Sequence, residues 1–150
     1  MSGAILLETW LSAGTTIDSL WSMFIVVNLG LFWFFFLVHR PLLIVERMIA
    51  IAAYAGFAYI NGNALINAYT FIEAVRRDLV LKFSRDFVTA PETLSVLNKA
   101  SYAAREDVIY LTHMGGFILV FTLFVLRNVM IRRYYRDFPD QLGRQSGVTD

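Results

Sequence analysis

Between Trp21 and Val38 the chain reads WSMFIVVNLGLFWFFFLV, with Ser22 and Asn28 as its polar residues and no charge anywhere. As a helix counted from Ile17, this run is about 33 Å long, enough to cross a hydrocarbon core of about 30 Å. It dictates an all-α integral membrane protein.

Composition agrees. At 150 residues, 57% hydrophobic and 15% aromatic, with a mean hydropathy of +0.57, the chain is too apolar for an ordinary soluble domain and too short for several. A formal net charge of +1 gives no overall bias toward nucleic acid or acidic ligands. The absence of cysteine removes disulfides, thiolate metal sites, iron–sulfur clusters and thiol catalysis together.

The first 15 residues have no Lys or Arg ahead of their apolar run, so they are read as retained rather than as a cleaved signal. They form either a short interfacial helix, with Glu8 toward water and Ile5, Leu6, Trp10 and Leu11 in the boundary layer, or a frayed tail. Thr15 followed by Asp18 resembles a capping arrangement, which starts the first span (16–39) near Thr16. His39-Arg40-Pro41 ends it and forces an antiparallel turn into the second span (42–70).

That second span carries Ala52, Gly56, Tyr59, Asn63, Asn67 and Thr70 at spacings of three or four. Small and polar groups in one stripe let another helix approach and offer hydrogen bonds that lipid lacks, so Gly56, Tyr59, Asn63 and Asn67 are candidate helix-interface or pore-lining residues. Past Thr70 no Gly or Pro interrupts the pattern, and Glu73 with Arg77 and Asp78 with Lys82 make supportive pairs. The helix is expected to run into water and stop near Phe87. Thr89-Ala90-Pro91-Glu92 signals a new N-terminus. From it Leu94, Leu97, Ser101, Ala104, Val108 and Leu111 trace the seam of a return helix, with Ser101 and Ala104 opposite Leu79 and Val75. Residues 71–107 thus read as an extramembrane antiparallel helical hairpin, against the alternative of two amphipathic segments lying on the surface.

The third span (108–131) ends among Arg127, Arg132, Arg133 and Arg136, interleaved with Tyr134, Tyr135 and Phe138. Beside a membrane, the set Arg132, Arg133, Tyr134, Tyr135 and Arg136 suits anchoring to an anionic lipid surface rather than nucleic-acid binding. Asp140 to Asp150 is expected to be disordered. Arginine placement around the first span, none before it and Arg40 and Arg47 after, puts the N-terminus and hairpin outside and the C-terminus in the cytoplasm, as in a plasma or inner membrane.

Matching depths brings His113 level with Asn63, Asn67 and Ser22, with Asp18 just above. Asp18, Ser22 and His113 are therefore a candidate polar cluster, read either as a proton relay or pH sensor or as hydrogen-bonded glue between helices. Asn28 is placed near Tyr59 as a register-fixing pair. Gly115-Gly116, with Thr112 a turn earlier, marks a close helix contact. No HExxH, Walker A loop, GxSxG or paired intramembrane Asp occurs, and His39 and His113 belong to opposite membrane faces. No catalytic, metal or cofactor residue is named. The expectation is a non-enzymatic accessory or interaction subunit with the bilayer, its own copies or other membrane subunits as partners. The alternative is a homo-oligomeric ion or proton channel lined by the second span.

Overall fold

The computed structural model describes residues 3–37, 42–85, 91–103 and 105–137. They form α1 (Gly3–Leu37), α2 (Ile44–Arg85), α3 (Pro91–Lys99) and α4 (Glu106–Asp137), with no strand among the described residues. Three of these helices are long and apolar enough to cross a membrane.

Central to the fold is α2, which packs on α1, α3 and α4, while α1 and α4 touch each other less. Its start is fixed locally: the Leu43 N–H donates to Glu46 Oε2 at 2.9 Å, a carboxylate closing the first turn. With no proline inside it, the helix then runs for 42 residues, about 63 Å and about twice a hydrocarbon core. Its Glu73, Arg76, Arg77, Asp78 and Lys82 half therefore projects beyond the apolar length.

α1 and α4 run antiparallel to α2, and side chains pack along it in three stacked clusters, the last of them with α3 in place of α4. The innermost holds Leu42, Tyr54, Ala58, Val120 and Phe124, with Val27, Leu31 and Phe35 against it. Ala13, Ile17, Leu65, Ile72 and Ile109 form the middle one. At the projecting end Leu6, Val75, Leu79 and Leu97 close together, flanked by Trp10 and Phe83. The start of α1, the end of α2 and α3 thus share one end of the molecule.

Two expectations about this end are corrected. The segment expected over residues 1–15 is, from Gly3 on, not separate: α1 begins at Gly3 and passes through Thr15 and Thr16, whose hydroxyls donate to the Ser12 carbonyl instead of capping a new start. Burial of Leu6 and Ala13 against α2 holds the extra turns in helix. The projection is accordingly three helices, with Leu6 and Trp10 as its third wall.

The return arm is also not one continuous helix. α3 ends at Lys99 and α4 starts at Glu106. Of the proposed seam, Leu97 is buried and Leu94 half-buried, but Ser101, Val108 and Leu111 are exposed, and Ile109 takes the inward position. Ala104, Thr89, Phe87 and the tail beyond Asp137 lie outside the described residues. No Gly or Pro marks this break in the sequence, and contacts with α2 described next meet the backbone beside it. α3 itself opens at Pro91, preset for a first turn, with Glu92 behind it and Lys99 in its last turn.

Candidate functional site

Polar side chains meet at two levels along α2. The first is the junction with the α3–α4 break. Glu73, buried, takes Arg76 in a two-pronged pair, Nη2 to Oε1 at 2.7 Å and Nε to Oε2 at 2.9 Å. Arg77 Nε adds a third bond to Oε1 at 3.0 Å, the pairing expected from the sequence. What the sequence did not disclose is where the outer sides of this pair go. Arg76 Nη1 donates to the Leu97 carbonyl at 2.8 Å, and Glu73 Oε2 accepts from the Tyr102 N–H at 3.1 Å. One carbonyl at the end of α3 and one N–H from the break are thereby satisfied where the helix stops. Hydrogen bonding from Arg76 holds the Glu73 carboxyl at about 2, below its ordinary 4.5, with the Tyr102 N–H and Arg77 acting in the same direction against burial. The same carboxylate raises Arg76.

The second level lies inside the apolar bundle. His113 of α4 is buried, with Nδ1 2.8 Å from the Ile109 carbonyl and Nε2 3.0 Å from Asn61 Oδ1 of α2. Asn61 Nδ2 donates in turn to the Leu20 carbonyl of α1 at 3.2 Å. The imidazole lies against Phe24, ring centroids 4.3 Å apart, and Trp21 at 6.0 Å. Gly62 lies beside this ring, where a Cβ would sit 3.5 Å from it, an ordinary van der Waals contact. One helical turn deeper, the Tyr54 hydroxyl donates to Asn28 Oδ1 at 2.8 Å while Asn28 Nδ2 donates to the Phe24 carbonyl at 2.7 Å. Gly116 of α4 fits over this pair, since a Cβ would come to 2.8 Å from Tyr54 Oη and 3.2 Å from Phe24.

The expected cluster is therefore rearranged. His113 is inside, but Asp18 and Ser22 are exposed on α1 and do not meet it. Its partner is Asn61, not Asn63 or Asn67, because positions 61 and 63 are about 200° apart around a helix. Asn28 pairs with Tyr54, which is buried, whereas Tyr59 is 74% exposed. Of the glycine pair, Gly116 makes the close contact and Gly115 has nothing within 4 Å. Thr112 returns its hydroxyl to the Val108 carbonyl.

Gly56, Tyr59, Asn63 and Asn67 share a face that the chain's own helices leave largely uncovered. A Cβ on Gly56 would meet nothing within 4 Å, and the Asn63 amide donates to its own helix at Tyr59. Beside this face, between α2 and α4, lies an apolar cleft of ≈ 320 Å³ bordered by Ala58, Tyr59, Asn63, Tyr110, His113 and Phe117. Of the residues expected to anchor at a lipid surface, Arg133 and Arg136 are exposed in the last turns of α4, and the side chains of Arg132, Tyr134 and Tyr135 lie outside the description. Among the described residues no three His, Asp or Glu side chains gather closely enough to hold a metal ion. Compared with protein-family models, with curated proteins and with solved structures, the chain matches none.

Proposed function

We propose that the chain is a non-enzymatic, three-span membrane protein that serves as an accessory subunit, docking a helix of a partner subunit against the outward face of α2. Two features support placing it in lipid. Ile25, Val26, Leu29 and Trp33 of α1, Ile60 of α2 and Leu111, Ile118 and Leu119 of α4 are all exposed large apolar side chains, a belt that water penalises and a bilayer accepts. The helices also keep their backbone hydrogen bonds internal, as lipid requires.

The observation that carries the docking reading is the uncovered face of Gly56, Tyr59, Asn63 and Asn67. In lipid such a face costs polar desolvation unless another helix closes on it, and glycine lets that helix come near. The projecting end, where α1, α2 and α3 pack on Leu79, offers a second contact surface in water. Arginine placement puts this end outside and Asp150 in the cytoplasm, so a reporter after Asp150 and one near Thr89 should lie on opposite sides.

The test is particle mass after mild extraction from native membranes, compared between wild type and Gly56→Leu, with current measured in a planar bilayer on the same sample. A larger wild-type particle that contains other subunits, shrinks in the variant and carries no current is expected. A closed ring of this chain alone, conducting until Asn63→Leu, would replace the accessory reading by the channel lined by the second span. No change in particle mass with Gly56→Leu would leave that face to lipid and sink both.

A further inference from the structure

Charge begins at one level on the two helices that border the α3–α4 break. Arg105, Glu106 and Asp107 stand at the start of α4, and no Asp, Glu, Lys or Arg follows until Arg127. Glu73 likewise ends a stretch of α2 that carries no such residue after Arg47. Between these two fronts opens a pocket of ≈ 230 Å³, whose charged lining is Glu73, Arg77, Arg105 and Glu106. Tyr69 and Tyr102 also line it, with ring centroids 6.0 Å apart.

The apolar cleft of ≈ 320 Å³ lies on the same seam between α2 and α4. Ala55 and Tyr59 of the cleft and Glu73 and Arg77 of the pocket are about five whole helical turns apart, so both linings occupy one face of α2. Ile66 of the pocket is one turn from Gly62 of the cleft, and Ile109 of the cleft one turn from Arg105 of the pocket. Charged at the boundary and apolar toward the interior, the seam has the polarity order of a lipid. From Ala55 to Glu73 it is about 27 Å long, against about 20–22 Å for one leaflet with its headgroup layer.

We propose that this seam binds one zwitterionic phospholipid, its headgroup in the pocket of Arg77 and Arg105 and one acyl chain in the cleft beside Tyr59 and Phe117. The charges of the pocket select the headgroup. Arg105 is exposed, and Arg77, 68% exposed, spends only its Nε on Glu73, so two guanidinium groups are placed to take a phosphodiester. Glu73 is already held by Arg76, Arg77 and the Tyr102 N–H. Glu106, exposed at the rim, opposes a further anionic group and pairs with an ammonium such as that of ethanolamine, to which the Tyr69 and Tyr102 rings add cation–π attraction. A lipid held here ties the start of α4 to α2 beside the α3–α4 break. The inference rests on the membrane reading but not on the partner, because Gly56 and Asn67 lie about 80–100° around α2 from the seam.

The full chain is reconstituted into nanodiscs holding equal parts of phosphatidylethanolamine and phosphatidylglycerol, moved to mild detergent, and its retained lipid read by native mass spectrometry. One phosphatidylethanolamine per chain, kept in preference to phosphatidylglycerol, is expected. Arg105→Gln should lower retention about fivefold, and Glu106→Gln should turn the preference toward phosphatidylglycerol. Ala55→Phe, which narrows the apolar end, should lower retention without changing the preference, while Gly56→Leu should leave both unchanged. Should Ala55→Phe fail to fold, the two exposed rim positions decide. Equal retention of both lipids in wild type and Arg105→Gln overturns the site, as does a wild-type preference for phosphatidylglycerol. A native particle that keeps a partner subunit but no lipid assigns the cleft to the partner's helix and overturns it too. A chain that stays in solution without detergent or lipid overturns the membrane reading together with this one.

Discussion

Where α2 projects, it meets the α3–α4 break with full charges, and Glu73 and Arg76 reach backbone groups that a broken helix has released. Within the apolar bundle it meets α1 and α4 with Tyr54 and Asn61, neutral groups that reach side chains and carbonyls of helices that stay intact. The difference follows from what surrounds each junction. At the Glu73 end the Arg77 side chain of the cluster is exposed, so the charges there are not fully enclosed. Among Phe24, Trp21 and Phe117 a carboxylate would have no such relief, and amides, a phenol and an imidazole take its place.

The comparison breaks most readily at the ion pair. Removing Glu73 strands Arg76, so Glu73→Ala should cost about 3–5 kcal/mol, and Arg76→Ala should cost less because Arg77 and the Tyr102 N–H still bond the Glu73 carboxylate. The cost should appear as protease cleavage between α3 and α4 before any change in the bundle. A double change, Glu73→Met with Arg76→Leu, should recover much of that loss, and failure to recover would mean that the backbone bonds to Leu97 and Tyr102 matter more than the charge.

Acid should reach the two junctions differently. The Glu73 carboxyl is held at about 2 in the fold against 4.5 ordinarily, chiefly by Arg76. Its contribution is complete above about pH 4.5 and is lost as pH falls from there toward about 2, on the order of 2–3 kcal/mol. Amide hydrogen exchange should show the projecting end opening across that window while Tyr54 and Val120 stay protected. Simultaneous opening of both regions would show that they are one cooperative unit.

How far this division was legible in the sequence depends on the helix face. The three long helices were readable from apolar length, and the continuation of α2 past Thr70 from the lack of any breaker. The buried face of α2 was readable too, as a ladder at spacings of four and three through Tyr54, Ala58, Asn61, Leu65, Ala68, Ile72, Val75 and Leu79. The stripe through Gly56 and Asn63 competes with it because, in a helix apolar all round, hydrophobic contrast no longer marks the inside. Leu6, Trp10, Ala13, Ile17 and Phe24 give the matching ladder on α1, and it crosses Thr15 without pause. The break after Lys99 had no local signal: no Gly or Pro marks it, and the α2 ion pair that bonds the backbone beside it is disclosed only by tertiary structure.

A sharper probe of the inner junction is glycine. Gly116→Ala puts a methyl 2.8 Å from the Tyr54 hydroxyl and 3.2 Å from Phe24, so it should cost about 1–3 kcal/mol. Gly115→Ala, with nothing within 4 Å, should be neutral or stabilising by up to about 1 kcal/mol through helix propensity. Equal effects in thermal unfolding would mean that α4 does not sit at this rotation.

The smallest expected effect is the most informative about the inner junction. Tyr54→Phe removes the hydroxyl that donates to Asn28, and side-chain hydrogen bonds between helices in a bilayer average about 0.6 kcal/mol. Asn28 keeps its bond to the Phe24 carbonyl, so only its oxygen is left unpaired. The same hydroxyl is the atom that a methyl on Gly116 strikes first. In the Tyr54→Phe background the methyl has more room, and Gly116→Ala should therefore cost less than it does alone. The two changes share one atom, so their energies should not add, with a coupling of about 0.5–3 kcal/mol in a double-mutant cycle. Strict additivity would place the Tyr54 hydroxyl away from Gly116, and the bundle would then owe its close approach at Gly116 to Phe24 alone.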